Sequence, residues 1–367
     1  MSEGREFSRR EFLELAGAVA GGAAAAVLLP GCAPQPTATP VVEGLVAGVV
    51  DTSAFKKEPP WTVARAGSGD VNAWMVLFSH TFEYGVQEKY KDLFKDYYVT
   101  GAAFDASKQI NDVEDLLTKE IDLLFVDPIS AAVLVAPIEK AMDMGIPVIL
   151  ASTRVYTDKY VSWVTTDNVD MYFKFGDWVG QQLNGEGNVL IMLGAPGSTY
   201  AAENLAGWHE AQVKWPGLNE IGVAYAWWSA TEAKKQAEAY IASVPQIDAV
   251  ISGGLMGLGV VDAFLDAGKP IPLICADDWN GWLRRAKELD IKFFGLSGGC
   301  EMSIAAVDLA VKVLKGEPVP KRVVWPLKAF TEADLDRLYR PDLSDDFWAA
   351  GADVLPEDWI ERLYKKT

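Results

Sequence analysis

The residues that could do catalytic chemistry are few, and the motifs they form are incomplete. Residues 295–299 read Gly-Leu-Ser-Gly-Gly and follow a predicted strand, as the turn that presents a nucleophilic serine does in many hydrolases. That mechanism needs a histidine after the serine in the chain. The two histidines, His80 and His209, both precede it. The hydrolase interpretation therefore lacks its general base.

Two other motifs each lack one required residue. Residues 67–72 lie between a strand and a helix like a dinucleotide-binding turn, but an asparagine replaces the third glycine. Residues 209–213 begin like a zinc-binding helix, yet Val213 occupies the position of the second ligand. No pair of carboxylates is distinguished by its position from the acidic residues of an ordinary protein surface. We therefore expect no enzyme activity, no cofactor and no metal site.

The composition limits the classes of partner. Half of the 367 residues are apolar, which is typical of a globular chain, and the length allows about two domains. The 33 basic and 51 acidic side chains give a net charge of −18, which disfavours nucleic acid as a partner. Three cysteines cannot build a disulfide framework. We expect Cys275 and Cys300 to be free, buried thiols.

The N-terminal segment has the features of an export signal with a lipid attachment site. Residues 8–13 carry a twin-arginine pair, and the apolar run at 16–29 is too short for a transmembrane helix. The run ends at Leu-Leu-Pro-Gly-Cys, which is similar to a bacterial lipobox with Cys32 as the lipidated residue. We predict a signal peptide over 1–31, a lipidated, flexible tether over 32–60, and an exported protein anchored on the extracytoplasmic face of the membrane.

From residue 61 onward, apolar strands alternate with amphipathic helices. We predict strands over 62–67, 97–103, 121–126, 146–150, 188–193, 221–226, 249–252, 272–276 and 291–296, and helices over 73–95, 110–119, 131–144, 171–183, 201–214, 230–243, 257–267 and 303–314. This alternation is typical of parallel sheets that are covered by helices on both faces. The sequence therefore predicts two α/β units of similar plan.

An ordered set of motifs resembles the ribose-type periplasmic sugar-binding proteins, the receptors of ABC importers related to the LacI repressor core. The set comprises residues 109–117 (QINDVEDLL), 121–128 (IDLLFVDP), 141–149 (AMDMGIPVI), 166–168 (TDN), 187–194 (GNVLIMLG), 207–208 (GW) and 314–320 (LKGEPVP). The resemblance covers the chain from Trp61 to about Thr331. It implies two doubly wound parallel-sheet lobes that are joined by three crossing segments, with the ligand in the cleft between them.

The resemblance also implies where the lobes divide. Lobe one would comprise residues 61–165 plus 298–326, and lobe two would comprise 166–297 plus 327–367. Gly298 and Gly299 would give one of the crossings its backbone freedom.

The matching positions imply a set of ligand-binding residues on both lobes. The resemblance supplies an amide, an aromatic ring and a guanidinium from lobe one, and an aromatic ring and an acceptor carboxylate from lobe two. An aromatic ring can lie on the C–H face of a sugar, while planar polar groups bind its hydroxyls. The implied site residues are Ser68, Asn72, Trp74 and Arg154 in lobe one, and Glu203, Trp228, Asp277 and Ser297 in lobe two. Arg154 has a second interpretation, as a bridge between the lobes.

Departures from the family pattern affect the ligand more than the architecture. Residues 202–204 (AEN) stand where many members have an arginine, and residues 253–256 (GGLM) replace an Asn-Asp pair. These positions are smaller or more apolar, so we expect a small neutral sugar or polyol, including a deoxysugar whose methyl group would suit Leu255 and Met256. Arg65, a charge inside a predicted buried strand, has no explanation beyond a cleft-lining or surface-reaching role.

The resemblance implies a monomeric binding protein that delivers its ligand to an ABC permease. One alternative is a receptor of the same fold that presents a signal molecule to a membrane sensor, and a second is an enzyme. The partner encoded nearby would distinguish a sensor from an importer, because an importer needs a permease and an ATPase whereas a sensor needs a kinase. Product analysis after incubation with sugars would identify an enzyme.

Overall fold

Strands and helices alternate along the chain in the computed structural model, which describes residues 48–253 and 255–366. The strands are β1 (Val49–Val50), β2 (Trp61–Gly67), β3 (Phe94–Gly101), β4 (Leu123–Val126), β5 (Val148–Ala151), β6 (Ser162–Thr165), β7 (Glu186–Leu193), β8 (Gly217–Tyr225), β9 (Ala249–Ile251), β10 (Leu273–Ala276), β11 (Phe293–Leu296), β12 (Val319–Pro320), β13 (Arg322–Val324) and β14 (Ala329–Thr331).

The α-helices fall mainly between successive strands, as crossover connections of a parallel sheet do. They are α1 (Ala73–Tyr84), α2 (Ala106–Leu117), α3 (Val135–Asp143), α4 (Asn168–Gln182), α5 (Thr199–Lys214), α6 (Ala230–Ser243), α7 (Met256–Asp266), α8 (Asn280–Leu289), α9 (Ser303–Leu314), α10 (Leu335–Leu338) and α11 (Glu357–Tyr364). No helix in the described ranges is both long and apolar enough to cross a membrane.

Two six-stranded sheets organise the chain. The first has the order β13-β6-β5-β4-β2-β3, and all its strands are parallel. The second has the order β14-β11-β10-β9-β7-β8 and is parallel except for β14, which runs antiparallel to β11. We call the part built on the first sheet lobe one and the part built on the second sheet lobe two. The predicted α/β class with two doubly wound lobes is confirmed.

The central strands are buried on both faces. Every residue of β4, β5 and β9 is buried, and these strands consist of Leu, Val, Ile, Phe and Ala. Fully burying one such large side chain stabilises the fold by about 1.5–3 kcal/mol. Cys275 and Cys300 lie in this interior as free thiols, which confirms the expectation.

The chain passes between the two sheets three times. The first crossing joins β6 to α4, the second follows β11, and the third joins β13 to β14. Glycines are required at the second crossing: Gly299 has a φ of +69°, and a Cβ at Gly298 would lie 2.4 Å from the ring of Trp348. The three predicted crossings are therefore present.

The segment before β2 differs from the predicted tether. Val49 and Val50 pair with Pro320 and Val319, and the Thr52 hydroxyl donates a 2.5 Å hydrogen bond to the carbonyl of Glu317. Part of the predicted tether is thus held on lobe one by these pairs and by the amide of Lys57, which donates to the carbonyl of Leu314, although most side chains of residues 48–60 are exposed. The predictions for the signal peptide, Cys32 and the first part of the tether lie outside the described residues.

Two further predictions of secondary structure are corrected. The helix expected over 73–95 ends at Tyr84, where a wider turn over Gly85–Lys89 leads into β3. Helix α8 was not predicted from the sequence; its first residue, Asn280, donates hydrogen bonds to the carbonyls of Arg340, Leu343 and Ser344. This helix is fixed by the C-terminal segment, which a local pattern cannot show.

Candidate ligand-binding cleft

A cavity of about 320 Å³ lies between the two lobes. Its wall is formed where strands end: Ser68 follows β2, Asp127 follows β4, and Asp277 follows β10. The full lining comprises Ser68, Asn72, Trp74, Met75, Phe104, Asp127, Pro128, Ile129, Ser130, Ser152, Thr153, Thr166, Ala195, Pro196, Gly197, Ser198, Tyr200, Trp227, Trp228, Leu255, Asp277, Gly298 and Met302. This is the edge at which doubly wound sheets bind their ligands.

Asn72 and Trp74 are placed on the lobe-one wall by the start of α1. Asn72 is the N-cap of this helix, and its Oδ1 atom accepts a 3.0 Å hydrogen bond from the amide of Met75. The ring of Trp74 stacks on Phe78 at 4.9 Å, and its Nε1 atom donates to the carbonyl of Gly298 at 2.7 Å. Trp74 therefore contacts the cavity and the second crossing at once.

Ser68 is held by a buried ion pair in which Asp127 lines the cavity and Arg65 lies behind it. The amide and hydroxyl of Ser68 both donate to Oδ2 of Asp127, at 2.7 and 2.6 Å. Oδ1 of Asp127 accepts from Nε of Arg65 at 2.9 Å, and Arg65 Nη1 donates to the Ser79 hydroxyl at 2.7 Å. The guanidinium also lies 4.8 Å from the ring centre of Phe82.

This geometry explains the charge inside a buried strand. Burial alone would lower the pKa of Arg65, but the charge and hydrogen bond of Asp127, together with Tyr97 and Asp70, outweigh this effect and raise that pKa above its ordinary value. Arg65 is almost fully buried and does not line the cavity. It is the partner of Asp127 rather than a surface-reaching residue.

The lobe-two wall presents Trp228. A Cβ at Gly194 would lie 2.0 Å from this ring, so the indole packs directly on the glycine backbone. The edge of Tyr200 contacts Trp228 at a centroid distance of 5.8 Å, and Phe104 of lobe one stacks against it at 6.2 Å. An aromatic contact therefore connects the two lobes beside the cavity.

Strained backbone positions these rings. Trp227 and Trp228 both have a φ of +52°, and Ala103 and Phe104 have φ values of +50° and +62°. Residues other than glycine rarely adopt this conformation, and it costs on the order of 1 kcal/mol or more at each position. Trp227 is 53% exposed and lies at the mouth of the cavity.

Asp277 adds a carboxylate to the lobe-two wall. It is 6% exposed and lines the cavity. Burial, followed by the negative charge of Asp277, raises the pKa of Tyr200 well above its ordinary value. Tyr200 is therefore a neutral hydroxyl at physiological pH.

Three of the eight predicted site residues lie outside the wall. Nε of Arg154 lies 3.7 Å from Oε1 of Glu203, so these two side chains form an ion pair between the lobes. The amide and hydroxyl of Ser297 are both bonded to the backbone of Lys328, each at 2.8 Å. Arg154 thus bridges the two lobes, and Ser297 joins the second crossing to the third through the backbone of Lys328.

Several wall residues were not predicted from the sequence. Asp127 had a usable signal, because it directly follows a buried strand, as Ser68 and Asp277 do. Phe104, Tyr200 and Met302 had none: Phe104 reaches the cavity through its unusual backbone conformation, and the other two are brought in by tertiary packing. Met256, expected beside the ligand, is instead fully buried and does not line the cavity, whereas Leu255 does.

Comparison with known proteins identifies the family. A family model described as a periplasmic binding protein domain matches residues 69–318, which is more than half of the chain. The chain belongs to this family.

In the ranges that the structure describes, no group of three or more metal-binding side chains is found.

Curated relatives agree with the ribose-type assignment. The chain is 27% identical over 235 residues to a xylitol-binding protein of Mycolicibacterium smegmatis, a match covering 63% of this chain and 67% of the relative. It is 24% identical to the ribose import binding protein of Bacillus subtilis, over 76% of this chain and 94% of that protein. The resemblance to ribose-type periplasmic sugar-binding proteins is confirmed.

Solved structures share the architecture. An ABC transporter solute binding protein from Thermobispora bispora superposes with a TM-score of 0.71 at 25% identity, covering 78% of this chain and 90% of that one. A Mycobacterium smegmatis protein in complex with β-D-fucofuranose gives a TM-score of 0.69 at 26% identity, covering 76% and 93%. Family membership implies an extracytoplasmic solute-binding protein of the kind that serves ABC importers.

Proposed function

We propose that this protein captures a small neutral sugar or polyol in the cleft between its lobes and delivers it to a membrane permease. The observation that carries the proposal is the cavity at the strand ends, which Trp74 lines from lobe one and Trp228 from lobe two. Its volume is at the lower end of the range of about 300–1,000 Å³ for small-molecule sites. A monosaccharide or a short polyol therefore suits it better than an oligosaccharide does.

The chemistry of the wall supports a sugar-like ligand. Indole faces provide apolar area for C–H faces, whereas hydroxyls need donors and acceptors close by. Polar residues line the cavity beside the rings, namely Asn72, Ser130, Ser152, Thr153, Thr166 and Asp277. A ligand with one apolar face and several hydroxyls can use both kinds of contact.

The apolar side chains on the wall favour a ligand with a methyl group. Leu255, Met75 and Met302 line the cavity together with Ile129. A methyl group buried there would gain about 0.8 kcal/mol over a solvated one, whereas a hydroxyl would lose hydrogen bonds. The similar Mycobacterium smegmatis structure contains β-D-fucofuranose, and fucose is a deoxysugar. We therefore retain a deoxysugar as the preferred member of the ligand class.

The two lobes are proposed to close on the ligand. We assign residues 61–165 plus 298–326 to lobe one and 166–297 plus 327–367 to lobe two, so that the crossings form the hinge. Wall residues come from both sides, so the ligand would dock on one lobe and be enclosed by the other. A monomer suffices for this action, because one chain supplies both walls.

The export route and anchor complete the proposal. We propose that residues 1–31 are removed as a twin-arginine signal peptide and that Cys32 carries the lipid. The protein would then remain at the outer face of the membrane, near its permease.

A thermal-shift screen tests the ligand class. The folded protein is heated with individual neutral sugars, deoxysugars and polyols, and a ligand that binds only the folded state raises the melting temperature. We expect at least one member to give a shift that Trp74→Ala reduces at the same ligand concentration. Shifts with amino acids or nucleosides but with no sugar or polyol would contradict the proposal.

A further inference from the structure

The two lobes carry an equivalent turn beside the cavity. In lobe one, residues 102–104 join the edge strand β3 to the helix α2. In lobe two, residues 226–228 join the edge strand β8 to the helix α6. The last residue of each turn, Phe104 or Trp228, immediately precedes the N-cap of the helix that follows. The two aromatic residues thus occupy the same position in the two lobes.

The hydrogen bonds of the two turns also correspond. The amide of Ala102 donates to the carbonyl of Gly67 at the end of β2 at 3.0 Å, and the amide of Ala226 donates to the carbonyl of Leu193 at the end of β7 at 2.8 Å. The amide of each N-cap residue then donates to the carbonyl of the first residue of its turn, at 2.9 Å in lobe one and 2.8 Å in lobe two. The last two residues of each turn have φ values between +50° and +62°. The turns are therefore two copies of one local structure.

The surroundings of each ring restrict its movement. A Cβ at Gly69 would lie 2.5 Å from the amide nitrogen of Ala103, so the lobe-one turn lies directly on the neighbouring backbone. On lobe two, the ring of Trp228 packs closely on Gly194 and contacts Tyr200. Displacing either ring would require a change in a turn whose unusual backbone conformation is maintained by its neighbours. Both rings are therefore fixed parts of the wall.

Phe104 and Trp228 meet across the cleft. Their ring planes are inclined by 13° and their centres are 6.2 Å apart, a distance typical of interacting aromatic pairs. Both rings line the cavity, and they come from opposite lobes. Because the cavity cannot extend between two walls that contact each other, this pair closes one side of it. The pair therefore limits how far a ligand can extend along the cleft.

We infer that Phe104 determines the size of the ligand: by meeting Trp228, it confines the cleft to a single sugar ring or a polyol of similar size and excludes disaccharides. This inference rests on the proposed function, because it assumes that a sugar or polyol occupies the cleft. A longer ligand would have to separate the two rings, and the loss of their contact would oppose its binding. Removal of the Phe104 ring would leave its space open to a second sugar ring.

Matched pairs of a short and a long ligand test the inference by calorimetry. The pairs are xylose and xylobiose, arabinose and arabinobiose, glucose and maltose, galactose and galactobiose, fucose and fucosylgalactose, xylitol and xylobiitol, and sorbitol and maltitol. In each pair that contains a ligand of the wild type, we expect the short member to bind at least about 100-fold more tightly than the long member.

Substitution of Phe104 should change this ratio of affinities. Phe104→Ala should reduce the preference for the short member to about tenfold or less, mainly because the long member binds more tightly. Phe104→Tyr keeps a ring at the same place and should keep the ratio of the wild type. Should Phe104→Ala fail to fold, Phe104→Gly replaces it, because glycine adopts the positive φ of this position without strain.

Two control variants separate the size of the cavity from other effects. Tyr98→Ala removes an exposed ring of β3 that does not line the cavity, and it should bind both members of a pair as the wild type does. Arg154→Met removes a different contact between the lobes. It should weaken the binding of both members by a similar factor, because it affects closure and leaves the length of the cavity unchanged.

Two results would overturn the size inference and leave the proposed function standing. One is a wild-type protein that binds a disaccharide as tightly as the matching monosaccharide. The other is a folded Phe104→Ala or Phe104→Gly variant that keeps the ratio of the wild type, since Phe104 would then serve only to hold the lobes together. If none of these sugars and polyols binds the wild type, the proposed function fails and the size inference fails with it.

Discussion

Arg154 of lobe one and Glu203 of lobe two form an ion pair between the lobes, with Nε 3.7 Å from Oε1. Glu203 is in turn held by Asn168, whose Oδ1 atom accepts a 2.6 Å hydrogen bond from the Thr166 hydroxyl. Thr166 and Asn168 belong to the first crossing. The ion pair is thus connected to the hinge, and it exists only when the lobes are close together.

Breaking this pair should favour the open arrangement. Arg154→Met and Glu203→Gln should each weaken ligand binding by about two- to fivefold, because a partly exposed pair contributes roughly 0.2–1 kcal/mol. In a double-mutant cycle measured by calorimetry, the double variant should lose less than the sum of the two single variants. As a separate check of lobe closure, small-angle scattering should show a smaller radius of gyration for the wild type with ligand than without ligand. Strictly additive losses would contradict direct coupling of the two side chains.

Trp74 is expected to contribute binding energy through its ring rather than through its Nε1 atom. Trp74→Ala should lower affinity about ten- to a hundredfold, since it removes apolar contact worth on the order of 1–3 kcal/mol. Trp74→Phe keeps a ring on the wall but loses the hydrogen bond to Gly298, so its loss in calorimetry should be smaller. Equal losses in two folded variants would assign the effect to the hinge contact instead.

Arg65 should matter for stability more than for affinity. Arg65→Met leaves the buried Asp127 carboxylate without its partner and should cost about 3–5 kcal/mol of unfolding free energy. The double variant Arg65→Met with Asp127→Asn should recover part of this loss, because no unpaired charge remains. Urea unfolding measures both changes. A loss below about 1 kcal/mol in Arg65→Met would show that the pair is not required.

The sequence predicted the positions that follow from strand register. Ser68 and Asp277 each follow a buried strand directly, so the rule that parallel strands end at one edge was enough to place them. Arg154 also follows a strand, but its direction depends on Glu203, which lies on the other lobe. Phe104 could not be predicted, because a positive φ at phenylalanine is set by tertiary packing and has no local signal.

The contacts that join the crossings of the hinge could not be predicted from the sequence either. Glycines at 298 and 299 indicated one crossing, but the bonds that join the crossings are long-range. The amide of Trp325 donates to the carbonyl of Thr165 at 2.6 Å, and its Nε1 atom donates to Oε1 of Glu301 at 2.8 Å. The second and third crossings are therefore linked through a buried carboxylate that no motif marked.

Glu301 should make the stability of the fold depend on pH. Burial, with added repulsion from Asp278, raises the pKa of Glu301 from 4.5 to about 7. Burial likewise raises the pKa of Asp278 to about 6. Because the folded state holds these protons more tightly than the unfolded state, the contribution of Glu301 is fully present below pH 4.5 and is lost as the pH rises through about 7. The contribution of Asp278 is fully present below pH 3.8 and is lost as the pH rises through about 6.

Glu301→Gln should flatten this dependence. The amide can still accept from Trp325 and has no charge to desolvate, so the variant should be more stable than the wild type above pH 7, by on the order of 2 kcal/mol. The exposed Glu120→Gln serves as a control and should unfold like the wild type. Unfolding free energies are compared across the pH range from 4 to 8. A variant whose free energy still falls as steeply as that of the wild type would contradict this role of Glu301.

Cys32 is expected to hold the protein at the membrane. It is the cysteine that follows Leu-Leu-Pro-Gly at the end of the apolar run, whereas Cys275 is buried in the described fold and unavailable for acylation. After expression in a host that exports twin-arginine substrates, Cys32→Ser should move the protein from the membrane fraction to the soluble fraction. One acyl group gives only weak binding, and the two chains of a diacylglycerol give stable anchoring, so the shift should be nearly complete. Cys275→Ala should remain with the membrane. Retention of Cys32→Ser in the membrane fraction would show that the anchor lies elsewhere.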